Sequence, residues 1–427
     1  MLHAADYEKI ARIIDVYRPK IDLSIRIPKS EYERRYEQVH AKLRERGIDF
    51  GFFFWYREMP GDGLYLTGYN PNIERASGVI APGRRPMLLV GPESGLLAAE
   101  AGLDLETHFV EELSIPDEFY EGLTPASLVP ILAEYGGNHV KRVGMLTSLD
   151  LVPVKFYEVF KNEIGEGIEV VDASDILSDL RYEKSEFEFE CMRQADIIAS
   201  AAVRAMLAVV RPGLRETEVA AVGDYVAKAL GADGTGFETI VNSAARNRTC
   251  IGPASNRVIQ EGDIVQVGLS PSYEGYKGVA RRAFVVGERT EIQRQYFEAL
   301  NAGYEKAAAE LKNVVENDLP SNRVDLAPRN FFNTLTIDGE NMKQFHFFST
   351  CHGTGLTECL EPMVIHPERE TLYGKNVGIM LDLGLYGHPN DSISGGCVEN
   401  AFFKRGNELI KLTDLPVDVQ DLVGVGL

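Results

Sequence analysis

Apolar positions along the chain switch repeatedly between helical and extended spacing. Tyr36, Val39 and Leu43 fall three and four residues apart on one helix face, with Ser30 and Glu33 as a capping box ahead of them and Gly47 as a stop. Phe50–Trp55 follows as an unbroken apolar run of strand length, and Met87–Val90 and residues 143–146 repeat that pattern with helical stretches between them. This first part predicts an α/β domain. A second block opens near Arg181, where Ser185 and Glu188 form another capping box before a long helix through Met192, Ile198 and Met206 toward Val210. Pro212-Gly213 ends it, and Thr217 is the expected cap of a further helix running to Gly231. Ile264–Leu269, 273–276 and 280–286 read as strand, turn and strand, which is a hairpin. After a helical stretch over 292–311, short β-like pieces at 378–385, 397–403 and 409–412 alternate with Gly-rich turns. The second block therefore predicts an α+β domain with helices against a mainly antiparallel sheet.

Length and charge sharpen the picture. A chain of 427 residues is too long for one ordinary core, and the expected division is an N-terminal domain over 1–177 and a C-terminal one over 178–427. The 44 Lys+Arg against 64 Asp+Glu leave a formal charge of −20, which repels nucleic acid phosphates and anionic lipid surfaces. Neither is an expected partner. The start of the chain carries no basic segment followed by an apolar run, and no stretch approaches the eighteen or so apolar residues of a membrane span, so a cytoplasmic protein is expected. Five cysteines, an odd number in a long chain, are expected to be reduced thiols.

Several segments in fixed order carry a family pattern. Residues 181–190 before a long helix, Val210-Arg-Pro-Gly-Leu-Arg-Glu-Thr-Glu-Val219 and Glu261-Gly-Asp-Ile-Val265 come first. His352-Gly-Thr-Gly-Leu356, Met380-Leu-Asp-Leu-Gly384 and Val398-Glu399 follow. Together they resemble the methionine aminopeptidase, aminopeptidase P/prolidase and creatinase superfamily. Glu31-Tyr-Glu-Arg-Arg35 and Leu64-Tyr-Leu-Thr-Gly68 are similar to the N-terminal domain of the creatinase and prolidase branch. The resemblance implies a pita-bread C-terminal domain behind a creatinase-like α/β domain, and a homodimer, to which the aromatic run Phe52 to Trp55 is expected to lend an exposed surface.

Peptidases of that family hold two metal ions on two aspartates, one histidine and two glutamates. The pattern implied by the resemblance is incomplete here. Gly268 and, eleven positions later, Val279 stand where the two aspartates belong, and Asp382 stands at one glutamate position. His352 and Glu399 remain. The creatinase branch instead uses a histidine six residues before an arginine; counting back from Arg257 gives Ile251, and the position seven after His352 is Cys359. No metal or other cofactor is therefore expected, although one histidine with two carboxylates could hold a single ion.

The candidate catalytic residues are His352, Asp382, Glu399 and Cys359. An imidazole with a carboxylate suits general acid/base work, and a thiol beside an imidazole suits a nucleophile. Arg57, Arg75 and Arg248 are the candidate binders of a substrate carboxylate, since a guanidinium can grip one with two parallel hydrogen bonds. Arg281 and Arg282 are neighbours in a strand, so at most one of them can face a cavity. These features lead to the expectation of a metal-independent hydrolase or lyase acting on a C–N or related bond of a small amino-acid or guanidino compound, anionic or zwitterionic. A non-catalytic binding protein is the alternative, and an Xaa-Pro peptidase-like metallohydrolase is third.

Overall fold

The computed structural model describes residues 1–136, 140–162, 167–359 and 361–427. They fall into two compact units, Ile27–Tyr182 on its own and Met1–Arg26 together with Glu183–Leu427. This differs from a division at 177/178, and the reason lies in the first helix, α1 (Ala4–Tyr17). Its apolar face buries Ile10, Ile13, Ile14 and Tyr17 within the C-terminal unit, and Lys9 Nζ donates to the carbonyls of Ala208 (3.1 Å) and Gly424 (2.6 Å).

The Ile27–Tyr182 unit contains helices α2 (Lys29–Arg46), α3 (Gly61–Thr67), α4 (Leu128–Gly136), α5 (Val154–Asn162) and α6 (Asp175–Tyr182). Its strands are β1 (Phe50–Trp55), β2 (Ala76–Ile80), β3 (Met87–Val90), β4 (Thr107–Phe109), β5 (Arg142–Met145) and β6 (Glu169–Asp172), in the sheet order β4-β3-β2-β1-β5-β6. Parallel and antiparallel pairs are mixed: β1 pairs β5 in parallel and β2 in antiparallel fashion. Phe52, Phe53, Phe54 and Trp55 are buried in the centre of this unit, so they offer no exposed surface for a dimer. Trp55 Nε1 donates to Tyr69 O at 3.0 Å, and its ring lies so close over Gly63 that a Cβ there would stand 1.9 Å from Cδ2. Gly63→Ala should therefore destabilise the protein by about 1–3 kcal/mol through overpacking, a loss that urea unfolding followed by Trp fluorescence would report.

The other unit adds helices α7 (Glu186–Val209), α8 (Glu216–Ala229), α9 (Glu291–Asn317) and α10 (Asn322–Phe332). Ser185 accepts the Glu188 N–H and Glu188 returns to the Ser185 N–H, so the expected capping box starts α7. Strands β7 (Gly234–Thr235), β10 (Pro271–Tyr273) and β11 (Tyr276–Lys277) make a small sheet, with positive φ at Glu274 and Gly275 in the β10–β11 turn. Strands β13 (Thr336–Ile337) and β14 (Glu340–Asn341) make a short hairpin. The main sheet has β8 (Ile240–Ser243), β9 (Ile264–Leu269), β12 (Ala280–Val285), β15 (Cys351–Gly353), β16 (Glu361–Val364), β17 (Asn376–Tyr386), β18 (Gly395–Arg405) and β19 (Glu408–Lys411). Its order is β16-β15-β17-β18-β12-β9-β8, with β19 on β18, and every pair is antiparallel. The architecture is thus α+β, with α7 buried along most of its length. Among the described residues no helix is long and apolar enough to cross a membrane, and no disulfide joins the cysteines.

Candidate functional site

Register across the main sheet builds the site. Gly268 on β9 faces Arg281 on β12, Arg281 faces Glu399 on β18, and Glu399 faces Asp382 on β17. Directly opposed residues of antiparallel strands project to the same face, so these four positions form one row across the sheet. His352 on β15 is opposite Met380, two residues before Asp382, and joins the row from its edge. His352, Asp382 and Glu399 each offer one ligand-type atom, all within 4.8 Å of one another.

Strand alternation allows at most one arginine of the 281–282 pair to face a cavity, and Arg281 is the one beside the acids. Arg281 Nη1 lies 3.3 Å from Asp382 Oδ2 and 3.3 Å from Glu399 Oε2. Its other amino group donates to Tyr386 Oη at 2.5 Å and Cys250 O at 3.1 Å, and Tyr386 donates on to Gln266 Oε1 at 2.7 Å. Arg282 projects to the opposite face, where it donates to the carbonyls of Pro416 and Glu399 and to Asn400 Oδ1.

Burial and charge set the protonation states. His352 retains 13% of its side-chain exposure, with Nδ1 3.1 Å from Gly353 O and Nε2 3.5 Å from Glu399 Oε1 and 3.7 Å from Glu358 Oε1. Burial disfavours its charge, but the Glu399, Glu358 and Asp382 carboxylates outweigh that and push its pKa up to about 9. Asp382 is pushed up to about 6, because burial and the nearby Glu399 charge outweigh Arg281 and His352. Its Oδ1 has no hydrogen-bond partner among the described residues. Arg281 stays charged, since the carboxylates raise its pKa against burial.

Of the remaining candidates, Cys359 lies within electrostatic reach of Glu358, Glu399 and Asp382, and the arginines fall elsewhere. Cys359 is exposed as a residue, yet desolvation of its sulfur and the Glu358 carboxylate push the thiol up to about 12. A protonated thiol is a weak nucleophile, so this environment does not favour thiol chemistry at Cys359. Arg248 is engaged in holding a loop, with Nη2 2.5 Å from Asp391 Oδ1 and 2.8 Å from Pro389 O. Arg57 and Arg75 belong to the Ile27–Tyr182 unit, where both are exposed and Arg75 lies 5.9 Å from the Phe156 ring centroid. Two members of the site were not singled out from sequence: Glu358, six residues after His352, and Arg281 as the partner of both carboxylates.

Residues 190–402 match the model of metallopeptidase family M24. An Xaa-Pro dipeptidase of Pyrococcus horikoshii is 28% identical over 328 residues, covering 75% of this chain and 85% of the relative. Among solved structures, the prolidase from Pyrococcus furiosus superposes with a TM-score of 0.69 at 24% identity, over 88% of this chain and 99% of that one. The X-Pro aminopeptidase from Thermotoga maritima gives 0.73 at 20% identity, over 90% and 99%. The chain belongs to the creatinase–prolidase branch of the pita-bread fold. Its kinship is thus with peptidases and hydrolases, and the likeness to the solved structures concerns the fold.

A family M24 metallopeptidase fold implies a metal centre, and the donor set here does not fit a pair of ions. Gly268 and Val279 supply no side-chain ligand atom, and a Cβ at 268 would stand 2.2 Å from Arg281 Cγ, so the arginine stem fills the space a ligand side chain would need. The guanidinium already contacts both carboxylates that would have to share their charge with two dications.

Proposed function

We propose that this M24 chain is a hydrolase that cleaves the C–N bond of a small, dipeptide-sized amino-acid compound by general acid/base chemistry on His352, Asp382 and Glu399. The observation that carries this reading is a charged imidazole held beside two buried carboxylates, with Asp382 Oδ1 in neither a hydrogen bond nor an ion pair among the described residues. In the proposed reaction, Asp382 Oδ1 takes a proton from water as the water oxygen bonds to the substrate carbonyl carbon. His352 then gives its Nε2 proton to the leaving nitrogen as the C–N bond breaks, and Glu399 stabilises the imidazolium beforehand. The names of the Xaa-Pro dipeptidase relatives make a dipeptide the first substrate class to test, and they favour the metallopeptidase reading as the rival. A guanidino substrate has no support from the site, because Arg281 already occupies both carboxylates that would receive a guanidinium. A homodimer in the cytoplasm is part of the proposal, resting on kinship alone; a monomer mass by light scattering would remove the dimer.

The decisive assay offers the pure protein Xaa-Pro and other dipeptides and N-acyl amino acids, with and without a strong chelator. Turnover unchanged by the chelator supports the proposal. Cleavage that disappears with the chelator and returns with added manganese, cobalt or zinc establishes the rival, and ligand binding without turnover establishes a binding protein.

The same roles predict a pH profile. Asp382 must be ionised to act as base, so kcat/KM should rise with pH through about 6, and His352 must be protonated to act as acid, so it should fall through about 9. The two limbs belong to the interacting cluster as a whole. A single limb, or an optimum outside that window, would contradict the assignment.

A further inference from the structure

We infer that Arg281 is the resident cation of this site and masks a latent divalent-ion site formed by His352, Asp382 and Glu399. The inference deepens the proposed function and rests on the same cluster, but it concerns cation occupancy and can be tested without a substrate.

Three observations carry it. First, the row Gly268, Arg281, Glu399, Asp382 runs across four adjacent strands, so the arginine is held in register with both acids by the sheet itself. Second, Gly268 is the complement of Arg281. Any side chain at 268 would begin 2.2 Å from Arg281 Cγ and 3.1 Å from its Cβ, so the glycine is what lets the arginine stem lie flat across the strand. Third, the guanidinium has a cradle that is not made of the acids. Tyr386 Oη and Cys250 O accept from Nη2, and Gln266 fixes Tyr386 from behind, which leaves Nη1 aimed between Asp382 and Glu399.

Buried carboxylates require compensating charge. Here the Arg281 guanidinium provides a fixed positive charge 3.3 Å from both Asp382 and Glu399. A dication entering among the same oxygens would meet a fixed positive charge only one hydrogen-bond length away from each acid. Without the guanidinium, the balance reverses: two carboxylates and an imidazole remain with their ligand atoms within 4.8 Å, a donor set suited to one first-row divalent ion.

The test is metal titration by calorimetry with Mn²⁺ and Zn²⁺, together with elemental analysis and thermal unfolding, on the full chain. Wild type should show no saturable binding that depends on His352, judged against His352→Ala, and no rise in Tm with metal. Arg281→Met, which keeps the stem and removes the charge, should take up about one equivalent, gain Tm with metal and lose that gain when His352→Ala is added. Arg281→Lys should stay metal-free. The inference is overturned by His352-dependent metal binding in wild type, or by a folded Arg281→Met that binds no more than wild type. If Arg281→Met folds only when metal is supplied, that rescue supports the inference; if it does not fold at all, the wild-type comparison with His352→Ala decides. Metal-free wild type that turns over no substrate would sink the proposed function and leave this inference standing, whereas chelator-sensitive activity would sink both.

Discussion

Replacing His352 by alanine should lower kcat by about a hundredfold or more, and Glu399→Gln should do nearly as much, whereas Cys359→Ser should change turnover little. The ranking follows from the geometry. His352 is the one titratable group of the cluster that combines residual exposure with a pKa held well above neutrality, so it can reach a substrate and still carry the proton to be transferred. Glu399 is fully buried between His352 and Arg281, and a neutral amide there removes the charge that keeps the imidazole protonated. The alkaline limb of the pH profile should therefore move toward lower pH in Glu399→Gln, which separates loss of tuning from general damage. Cys359 holds its proton at working pH and has nothing to contribute as a thiolate. An inactive Cys359→Ser with a merely slowed His352→Ala would reverse the assignment.

The largest stability effect should come from Arg281. Truncation to methionine leaves two buried carboxylates without their fixed counter-charge, and breaking a buried ion pair from one side costs about 3–5 kcal/mol. Urea unfolding should show that loss at neutral pH, and lowering the pH should recover part of it. The sign follows from Asp382, whose folded pKa already lies above its ordinary value: protonation favours the folded state, and stability falls as pH rises through about 6. Removing the arginine strengthens that trend. Equal stability of wild type and Arg281→Met across about pH 5 to 7, a range of about a unit on either side of that limb, would mean that the guanidinium does not compensate the acids.

The sequence-based reading succeeded where the signal is local. Phe50–Trp55, Met87–Val90 and Ile264–Leu269 are strands with the expected bounds, because uninterrupted apolar runs of that length leave little choice of period. Ser185 and Glu188 form their capping box, but Ser30 and Glu33 do not: the extended backbone of Pro28 begins α2 at Lys29, which leaves Ser30 already inside the helix. Thr217 is likewise inside α8, whose start is instead fastened by Glu218 accepting from the Arg215 N–H at 2.9 Å. Helix α10 escaped notice because Pro328 sits within it, a residue that ordinarily argues against a helix interior. At the site, His352, Asp382 and Glu399 were legible because short motifs surround them. The role of Arg281 was not, because it depends on pairing between residues far apart in sequence, 281 with 399 and 268 with 281, and side-chain alternation reveals a face without revealing what lies opposite. For the same reason, an aspartate restored at 268 finds no room while Arg281 stands against it.

The nesting of Ile27–Tyr182 inside the other unit also fixes an order of events during synthesis. Residues 27–182 are continuous in the chain, so that unit has all its own partners once Tyr182 has left the ribosome. Helix α1 is made before residues 27–182 but belongs to a unit that resumes only at Glu183, and its buried face of Ile10, Ile13, Ile14 and Tyr17 stays without its native neighbours until α7 has been translated. The Gly424 carbonyl that accepts from Lys9 arrives later still. Helix α1 is thus buried long after it is made, and the growing chain carries its apolar face without its native partners for more than 150 residues.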